Sequence, residues 1–426
     1  MKNIFISVLA AVLRWLSCGI IRKYRPTIIG VTGSVGKSST KEAIYAVLKD
    51  SLDCRVSHGN LNNELGFPLS IIGDYEDIGS GAFWLKAVKD GIKELFFGSR
   101  YPKILILEYG ADKPGDIDYL TGIARPDIAV VTSISKTPVH VEHYSSPQAV
   151  ALEKGRLVKA LSESGTAILN ADDDLVAQMV DDFDGKTLTY GMEGADVRIV
   201  GLSNVSEDGD PLGINFKLET LGKLLPVGIK GSFGRGQAYA SAAALAVAST
   251  LGVNLIRASE KLSEYKPLPG RMNLIRGIRD SWLLDDSYNA SPIAMEDALN
   301  TLKSLKAKRK VAILGDMKEL GKYSDDAHKK MGKIIASAAD ILLAVGEKGK
   351  VMADSARASG MNERNIHVFD SSDEAKVIAG DIVSSGDLVL IKGSQSMRME
   401  RVTAEIMAEP SRAKELLPRQ YGNWVG

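Results

Sequence analysis

Residues 28–40 combine the residue types that bind a polyphosphate. They read Ile-Ile-Gly-Val-Thr-Gly-Ser-Val-Gly-Lys-Ser-Ser-Thr, an apolar run followed by a glycine-rich loop. Gly33 and Gly36 allow a tight turn whose backbone N–H groups converge on one point, where an anion would lie. Lys37 adds a positive charge there, and Ser38 adds a hydroxyl that could bind Mg²⁺. The segment therefore predicts a site for ATP or GTP.

The match to the phosphate-binding loop is incomplete. The strict pattern has a glycine five residues before Gly36, and this chain has Val31 at that position. The alternative is a Gly/Ser turn that only joins a strand to the helix predicted from about Thr40. The order of strand, loop and helix favours nucleotide binding.

Three further residues could hold or orient a cation. Glu108 ends an apolar run, and an acid at the carboxyl end of a parallel strand lies where α/β sheets bind ligands. It could hold Mg²⁺ across from Ser38, or it could be a solvated strand end. His140 and Glu142 alternate on an extended segment and could coordinate a cation, although lone histidines are more often structural. By spacing alone, Lys154 resembles any other helical lysine.

Polar loops further along the chain could form a second wall of the same site. The loops at 285–292, 315–321 and 392–398 each follow a predicted strand, and the last two should open on one sheet edge. Arg271 follows a proline-rich segment that we interpret as a hinge, and Gln237 begins an alanine-rich helix. Candidate side chains in the loops are Asp286, Asn289, Asp316, Glu319, Lys392 and Ser394. Each loop could also be only a turn.

Composition indicates an ordinary globular protein. The chain has 426 residues, of which 45% are hydrophobic and 25% charged, which suffices for two or three domains. The 53 Lys and Arg residues balance the 53 Asp and Glu residues, so the formal net charge of zero does not support a nucleic-acid partner. Cys18 and Cys54 have no spacing typical of a disulfide framework or a zinc site, which fits a reducing cytoplasm.

Short apolar runs alternate with helical stretches, which predicts an α/β protein. Strand candidates are 27–31, 104–108, 128–132, 166–170, 282–285, 311–314, 341–345, 367–369 and 388–392. Helix candidates are 40–49, 82–97, 147–161 and 238–249. Alternating segments between 195 and 218 predict an antiparallel excursion. We predict an apolar helix at 1–26, a central P-loop domain with a parallel sheet in three layers at 27–266, and a C-terminal Rossmann-like domain at 267–426.

The N-terminus is unusually apolar. Residues 4–21 are almost free of charge, Arg14 interrupts them, and basic residues follow at 22, 23 and 25. The run is at the short end of what crosses ~30 Å of hydrocarbon. Three interpretations stay open: a helix packed on the protein's own body, a helix in the membrane interface, or a single anchor. The basic flank suits anionic lipids, so we expect a cytoplasmic protein that could contact the inner membrane face through residues 1–25.

Taken in order, these motifs resemble the Mur ligase family, and most closely its branch that adds D-alanyl-D-alanine. The resemblance covers about residues 27–405. The matching segments are 32–39 (TGSVGKSS), 60–68 (NLNNELGFP), 107–111 (LEYGA), 140–142 (HVE), 153–155 (EKG), 270–271 (GR), 285–292 (DDSYNASP), 315–321 (GDMKELG) and 392–394 (KGS). So many matches in one order rarely arise by chance. Segments 60–68 and 315–321 favour this branch over the folate-polyglutamate branch.

The resemblance implies that ATP phosphorylates a substrate carboxylate and that an amine then attacks the acyl phosphate to form an amide. It implies that ATP is bound by Gly33, Ser34, Gly36, Lys37, Ser38, Ser39, Gln237, Arg271 and Asp286. The resemblance implies that Ser38 and Glu108 bind one Mg²⁺, that His140 helps to bind a second, and that Lys154 is a further ligand as a carbamate formed with CO₂. The implied substrate contacts are Asn62, Asn63, Asn289, Asp316, Glu319, Lys392 and Ser394. Catalytic roles would belong to Lys37, Lys154 and His140.

This chain departs from the family near the adenine and at its N-terminus. The family has a His-Asn pair and a further Asn where this chain has Gly236, Gln237 and Ala240, and Ser133 stands where Asn is common. The domain that grips the UDP part of the substrate is replaced by the apolar segment 1–25. We therefore expect an acceptor that is held differently, or one that is not linked to UDP.

These observations predict an ATP- and Mg²⁺-dependent amide ligase of peptidoglycan synthesis. Its partners would be a glycopeptide or other small-molecule precursor and an amino acid or dipeptide, most simply D-alanyl-D-alanine. One alternative is a ligase of the same fold that acts on another acceptor, such as polyglutamate or cyanophycin. Another is an idle relative that binds nucleotide and acts as a scaffold, although the intact residues Lys37, Glu108, His140 and Lys154 argue against it. A transport ATPase would need a coupling motif that we do not find.

Overall fold

The chain folds into two layered α/β units, one built on a nine-stranded sheet and the other on a six-stranded sheet. The computed structural model describes residues 2–57, 59, 61–75, 81–134 and 143–420, with the backbone alone for residues 2–5. The first unit carries the glycine-rich loop, and the second follows the proline-rich segment near residue 267. The boundaries predicted at 26/27 and 266/267 stay predictions.

The elements of the first unit alternate as the sequence predicts. In chain order they are α1 (Lys2–Tyr24), β1 (Thr27–Thr32), α2 (Lys37–Leu48), β2 (Cys54–Val56), α3 (Gly66–Ile72), α4 (Gly81–Phe97), β3 (Ile104–Glu108), α5 (Asp116–Thr121), β4 (Ile128–Val131), α6 (Pro147–Lys159), β5 (Thr166–Asn170), α7 (Asp174–Ala177), β6 (Lys186–Gly191), β7 (Val197–Glu207), β8 (Asp210–Thr220), β9 (Lys223–Lys230), α8 (Arg235–Thr250) and α9 (Leu255–Glu264).

The first sheet has the order β2-β3-β1-β4-β5-β6-β7-β8-β9. Its strands are parallel from β2 to β7, and β7, β8 and β9 form an antiparallel meander. Strands β3, β4 and β5 are buried along their whole length, as their continuous apolar sequences require in a parallel sheet covered on both faces. The antiparallel pairing of β8 with β7 and with β9 confirms the predicted antiparallel excursion.

The second unit contains β10 (Asn273–Gly277), β11 (Ser281–Asp286), α10 (Pro292–Ser304), β12 (Arg309–Gly315), α11 (Ser324–Ala338), β13 (Ile341–Val345), α12 (Glu347–Ala358), β14 (Ile366–Phe369), α13 (Ser372–Ile382), β15 (Asp387–Lys392), α14 (Glu400–Ile406) and α15 (Ala413–Leu416). Its sheet has the order β10-β11-β15-β12-β13-β14. All pairs are parallel except β10 with β11. The loops after β11, β12 and β15 therefore open on one sheet edge.

Two predicted helix starts were wrong by three residues, and both lie at the candidate site. Helix α2 begins at Lys37 rather than Thr40, and α8 begins at Arg235 rather than Ala238. In each case the preceding residue is a glycine with positive φ, Gly36 at 90° and Gly234 at 87°. A glycine in that conformation can end a loop immediately before the first helical residue. Both helices therefore begin closer to the glycine-rich loops than expected.

Helix α1 packs on the body of the protein. Leu13, Leu16 and Ile20 are fully buried and join one hydrophobic cluster with residues of β3 and β4. Gly91 of α4 leaves room for Leu16, because a Cβ at residue 91 would lie 2.9 Å from Leu16 Cδ1. Within the described ranges, no helix is long and apolar enough to cross a membrane. The interpretation of α1 as a helix packed on the protein itself is confirmed.

Replacing Leu16 with alanine should therefore lower the free energy of unfolding by about 2–5 kcal/mol, because it leaves a cavity in this cluster. Urea denaturation followed by circular dichroism measures the change. Val8→Ala is the matched control, since Val8 lies on the same helix with 58% of its surface exposed. Equal stability of the two variants would show that α1 does not pack as described.

Candidate active site

The glycine-rich loop is fastened to the carboxyl ends of β1 and β4. Gly33 has φ 142°, and a Cβ there would lie 1.9 Å from Thr132 Oγ1. Any larger residue would therefore collide with Thr132, which directly follows β4. The backbone N–H of Ser34 donates to the carbonyl of Ser133 at 2.6 Å. These contacts hold the loop in one shape before any ligand arrives.

Donor groups of this loop remain available for an anion. Helix α2 begins at Lys37 without a side-chain cap, so its first-turn N–H groups lack partners within the helix. Ser34 Oγ is buried at the cleft and has no hydrogen-bond partner among the described residues. Lys37 Nζ donates to the Gly33 carbonyl at 2.9 Å. Burial lowers the pKa of Lys37, against the opposing attraction of Glu108. A polyphosphate would satisfy these donors and the partly buried Lys37 ammonium together.

Ser38 and Glu108 meet at the ends of α2 and β3. Ser38 Oγ donates to Glu108 Oε2 at 3.0 Å, and Asn62 Nδ2 donates to Oε1 at 3.0 Å. Burial would raise the pKa of Glu108, but the ammonium groups of Lys41 and Lys37 and these two hydrogen bonds outweigh it, so the pKa is lowered. Glu108 is therefore a buried carboxylate that stays charged. A hydroxyl and a carboxylate in contact form an oxygen donor set that fits Mg²⁺.

Lys154 lies on α6 with only 2% of its surface exposed. Burial, and then repulsion from Lys37, lowers its pKa to about 7. Among the described residues none accepts a hydrogen bond from its Nζ, whereas the adjacent Glu153 accepts from the backbone N–H groups of Gly115 and Ile117 at 3.0 Å. Only a neutral amine can attack CO₂, and a large fraction of this amine is neutral near pH 7. Its environment therefore fits the carbamate that the resemblance implies.

The second unit contributes two cations, Lys392 at the end of β15 and Arg271 just before β10. Lys392 Nζ donates to Asp286 Oδ2 at 2.5 Å and to the carbonyl of Asn289 at 2.9 Å. The guanidinium of Arg271 stacks on the ring of Tyr288 at 4.2 Å, and its Nε has no partner among the described residues. These contacts hold two positive side chains beside the cleft.

The loops after β12 and β15 pack on each other, as predicted from their shared sheet edge. The N–H of Ser394 donates to the Asp316 carbonyl at 3.0 Å, and the N–H of Lys318 donates to Ser394 Oγ at 2.8 Å. Asp316 is fully buried, and its carboxylate accepts from the N–H of Gly349 at 2.8 Å. The structure therefore gives Asp316 a role in holding this loop, and Glu319 rather than Asp316 borders the cleft.

A cleft of about 1230 Å³ lies between the two units. The predicted site residues that line it are Ser34, Gly36, Lys37, Ser38, Ser39, Asn62, Asn63, Glu108, Lys154, Gln237, Arg271, Asp286, Asn289, Glu319, Lys392 and Ser394. Gly33 and Asp316 do not line the cleft, but they hold in place the loops that do. His140 and Glu142 lie outside the described residues. Within the described ranges, no group of three or more His, Cys, Asp or Glu side chains could hold a metal ion, so the Ser38–Glu108 pair is the candidate there.

Sequence reasoning missed a polar cluster at the start of α8. Tyr239 Oη donates to Asp172 Oδ2 at 2.6 Å, and Arg235 donates to Tyr239 Oη at 3.1 Å. Arg235 and Tyr239 are four residues apart on α8, so the sequence could have predicted that they share one helix face. The sequence could not predict that Asp172 contacts them, because Asp172 lies in the loop after β5. The cluster borders the cleft beside Gly236 and Ala240, where the resemblance implied altered adenine contacts.

Two family models match this chain in order. Residues 91–248 match the Mur ligase middle domain, and residues 270–395 match the glutamate ligase domain of Mur ligases. A UDP-N-acetylmuramoyl-tripeptide–D-alanyl-D-alanine ligase from Synechocystis is 30% identical over 398 residues, which cover 92% of this chain and 77% of that protein. This chain belongs to the Mur ligase family.

Other relatives agree with this assignment. The enzyme of the same name from Bacillus subtilis is 28% identical over 401 residues, covering 93% of this Mur ligase and 79% of the relative. The crystal structure of MurF ligase from Thermotoga maritima in complex with ADP superposes with a TM-score of 0.77 at 27% identity, over 95% of this chain and 84% of that one. The protein is thus an ATP-dependent ligase with the MurF-like α/β fold.

The buried pair of Lys392 and Asp286 should stabilise the C-terminal unit of this Mur ligase. Replacing Lys392 with methionine leaves the Asp286 carboxylate buried without its cation, which should cost about 3–5 kcal/mol. Thermal unfolding measures the loss. Lys376→Met removes an exposed pair with Asp373 and should cost less than about 1 kcal/mol. A similar melting temperature for both variants would contradict the importance of the buried pair.

Proposed function

We propose that this Mur ligase joins D-alanyl-D-alanine to the peptide of a UDP-N-acetylmuramoyl-tripeptide. One observation carries the proposal. The cleft brings Lys37 of the glycine-rich loop and the oxygen pair Ser38–Glu108 of one unit opposite Arg271 and Lys392 of the other. The relatives from Bacillus subtilis, Synechocystis and Escherichia coli are named for this reaction.

In the proposed reaction, the first-turn N–H groups of α2 and the Lys37 ammonium hold the phosphates of ATP. A carboxylate oxygen of the acceptor attacks the γ-phosphorus, the bond from that phosphorus to the β,γ-bridging oxygen breaks, and ADP leaves. The amine of the second substrate then attacks the acyl carbon. Inorganic phosphate leaves, the amine loses a proton, and an amide remains.

Charge in this cleft would favour both steps. Ser38 and Glu108 would hold one Mg²⁺, His140 would help to hold a second, and a carbamate on Lys154 would be a further ligand, as the resemblance implies. Bound there, Mg²⁺ would neutralise negative charge on the phosphates. Arg271 would contact phosphates from the second unit and Asp286 would contact the ribose, so closure about residues 267–271 would complete the site.

Phosphate release from ATP and Mg²⁺ tests this function directly. The assay contains UDP-N-acetylmuramoyl-tripeptide, with and without D-alanyl-D-alanine, and mass spectrometry identifies the product. We expect release that requires both substrates, and the joined pentapeptide precursor as product. Lys37→Ala should abolish release.

A protein that binds ATP but releases no phosphate with these substrates would overturn the proposed acceptor. The polyglutamate and cyanophycin-like acceptors would then be tested in the same assay. Absence of ATP binding would instead contradict the nucleotide site.

A further inference from the structure

The outer faces of α1 and α4 expose an unusual concentration of apolar side chains. Of the large apolar side chains that are exposed in the described part of the chain, six lie on these two helices: Val8, Trp15, Leu85, Ile92, Phe96 and Phe97. Leu85 is 76% exposed and Phe97 is 80% exposed. Concentrated exposed apolar residues mark interaction surfaces.

These two helices lie side by side, so their exposed residues form one surface. A Cβ on Gly91 would lie 2.9 Å from Leu16 Cδ1, and a Cβ on Gly19 would lie 3.0 Å from Leu95 Cδ1. The contacts advance along both helices in the same direction, so α1 and α4 are parallel. Ile92 follows Gly91 and Phe96 follows Leu95, the two residues of α4 that contact α1. Ile92 and Phe96 therefore lie on the edge of α4 that borders α1.

The exposed residues of α1 form a stripe on the face away from the core. Val8 and Trp15 are seven residues apart, so they lie on the same side of the helix, and Ala11 lies between them. All three are exposed, whereas Leu13 and Leu16 on the other side are fully buried. Helix α1 therefore keeps one apolar face on the protein and presents a second one outward.

A row of lysines borders this apolar surface. Lys86, Lys89 and Lys93 are exposed, are spaced by three and four residues along α4, and form no ion pair with a described residue. The acids of α4 do not cancel this row, because Asp90 and Glu94 are half-buried and Asp90 accepts a hydrogen bond from Tyr75. Arg22 and Lys23 at the end of α1 and Arg25 just after it are also exposed cations. The surface is therefore both apolar and positively charged.

We propose that this α1–α4 face binds the surface of an anionic phospholipid bilayer. The exposed side chains of Trp15, Leu85 and Phe96 would enter the boundary between headgroups and acyl chains, where aromatic residues are favoured. The lysine row would lie at the level of the lipid phosphates and attract them. Charge complementarity selects this partner, since a second copy would bring a second lysine row against the first. The proposal does not depend on the substrates of the ligase.

Flotation of the full chain with vesicles tests the proposal. We expect the protein to float with vesicles of phosphatidylcholine containing phosphatidylglycerol, and to remain unbound with phosphatidylcholine alone. K86Q/K89Q/K93Q should weaken binding by roughly tenfold or more, since each basic residue near the surface contributes separately. L85S/F96S should weaken binding by about tenfold through lost apolar burial. All five positions are exposed, so both variants should melt as the unaltered protein does.

Matched substitutions elsewhere separate specific from general effects. K306Q/K329Q/K333Q changes the net charge equally on exposed lysines of the second unit, and L221S removes an exposed leucine from the turn between β8 and β9. Both should leave flotation unchanged. The tryptophan fluorescence of the protein should shift to shorter wavelength when anionic vesicles are added. Trp15→Phe should remove that shift.

Failure to float with anionic vesicles would overturn the proposal. So would equal losses in the lysine variant and its charge-matched control. Concentration-dependent self-association that L85S/F96S abolishes, without vesicle binding, would assign the face to a second copy instead. Loss of flotation with unchanged phosphate release would show that membrane binding and ligase activity are separate properties.

Discussion

Replacing Lys154 with alanine should reduce the ligation rate by roughly 10³-fold, because the variant loses a ligand that would hold Mg²⁺ beside the phosphates. Added bicarbonate should not restore activity, since the variant has no amine to form a carbamate. Phosphate release under saturating substrates measures the rate. Lys159→Ala is the matched control, because Lys159 is on the same helix but reaches an exposed partner, Asp182. Near-normal activity of Lys154→Ala would exclude the carbamate role.

The same residue predicts a dependence on pH. The pKa of the unmodified Lys154 is lowered to about 7, so its neutral fraction falls as pH falls. At pH 6 roughly a tenth of such an amine is neutral, compared with most of it at pH 8. Carbamate formation should therefore decline between pH 8 and pH 6, and a higher CO₂ concentration should oppose the decline. The ¹³C resonance of a carbamate after labelling with ¹³CO₂ reports this directly, and it should be absent from Lys154→Ala.

Replacing Glu108 with glutamine should lower the turnover number by roughly 10²–10³-fold, because the only carboxylate in contact with Ser38 among the described residues is lost. The change keeps the shape of the side chain and its hydrogen bond from Asn62 or Ser38. The Mg²⁺ concentration for half-maximal activity should also rise. Titration of Mg²⁺ in the phosphate-release assay measures both effects.

Glu42→Gln is the control for this second substitution. Both Glu42 and Glu108 lie 3.9 Å from Lys41 Nζ, but Glu42 is partly exposed and does not line the cleft. Its replacement should leave turnover and the Mg²⁺ requirement close to those of the unaltered protein. Equal effects of the two substitutions would indicate that Lys41, not a metal ion, is the partner that matters.

Local sequence was enough to predict the layers and the phosphate loop. Strands β3, β5 and β13 were predicted with their observed bounds, because a strand buried on both faces reads as an unbroken apolar run. The loop was readable because its glycines, lysine and serine are consecutive. Helix starts at Lys37 and Arg235 were less predictable, since a glycine with positive φ leaves no side chain to mark the cap.

Properties that arise from contact between distant segments were decided by the tertiary structure alone. The spacing around Lys154 did not distinguish it from other helical lysines, and its low pKa depends on burial and on Lys37, more than a hundred residues earlier. Likewise, Asp172 meets Tyr239, and α4 meets α1, only after folding. Sequence periodicity records which face of an element is buried. It does not record which other element covers that face. The desolvation of a buried group and its distance from other charges depend on that covering element.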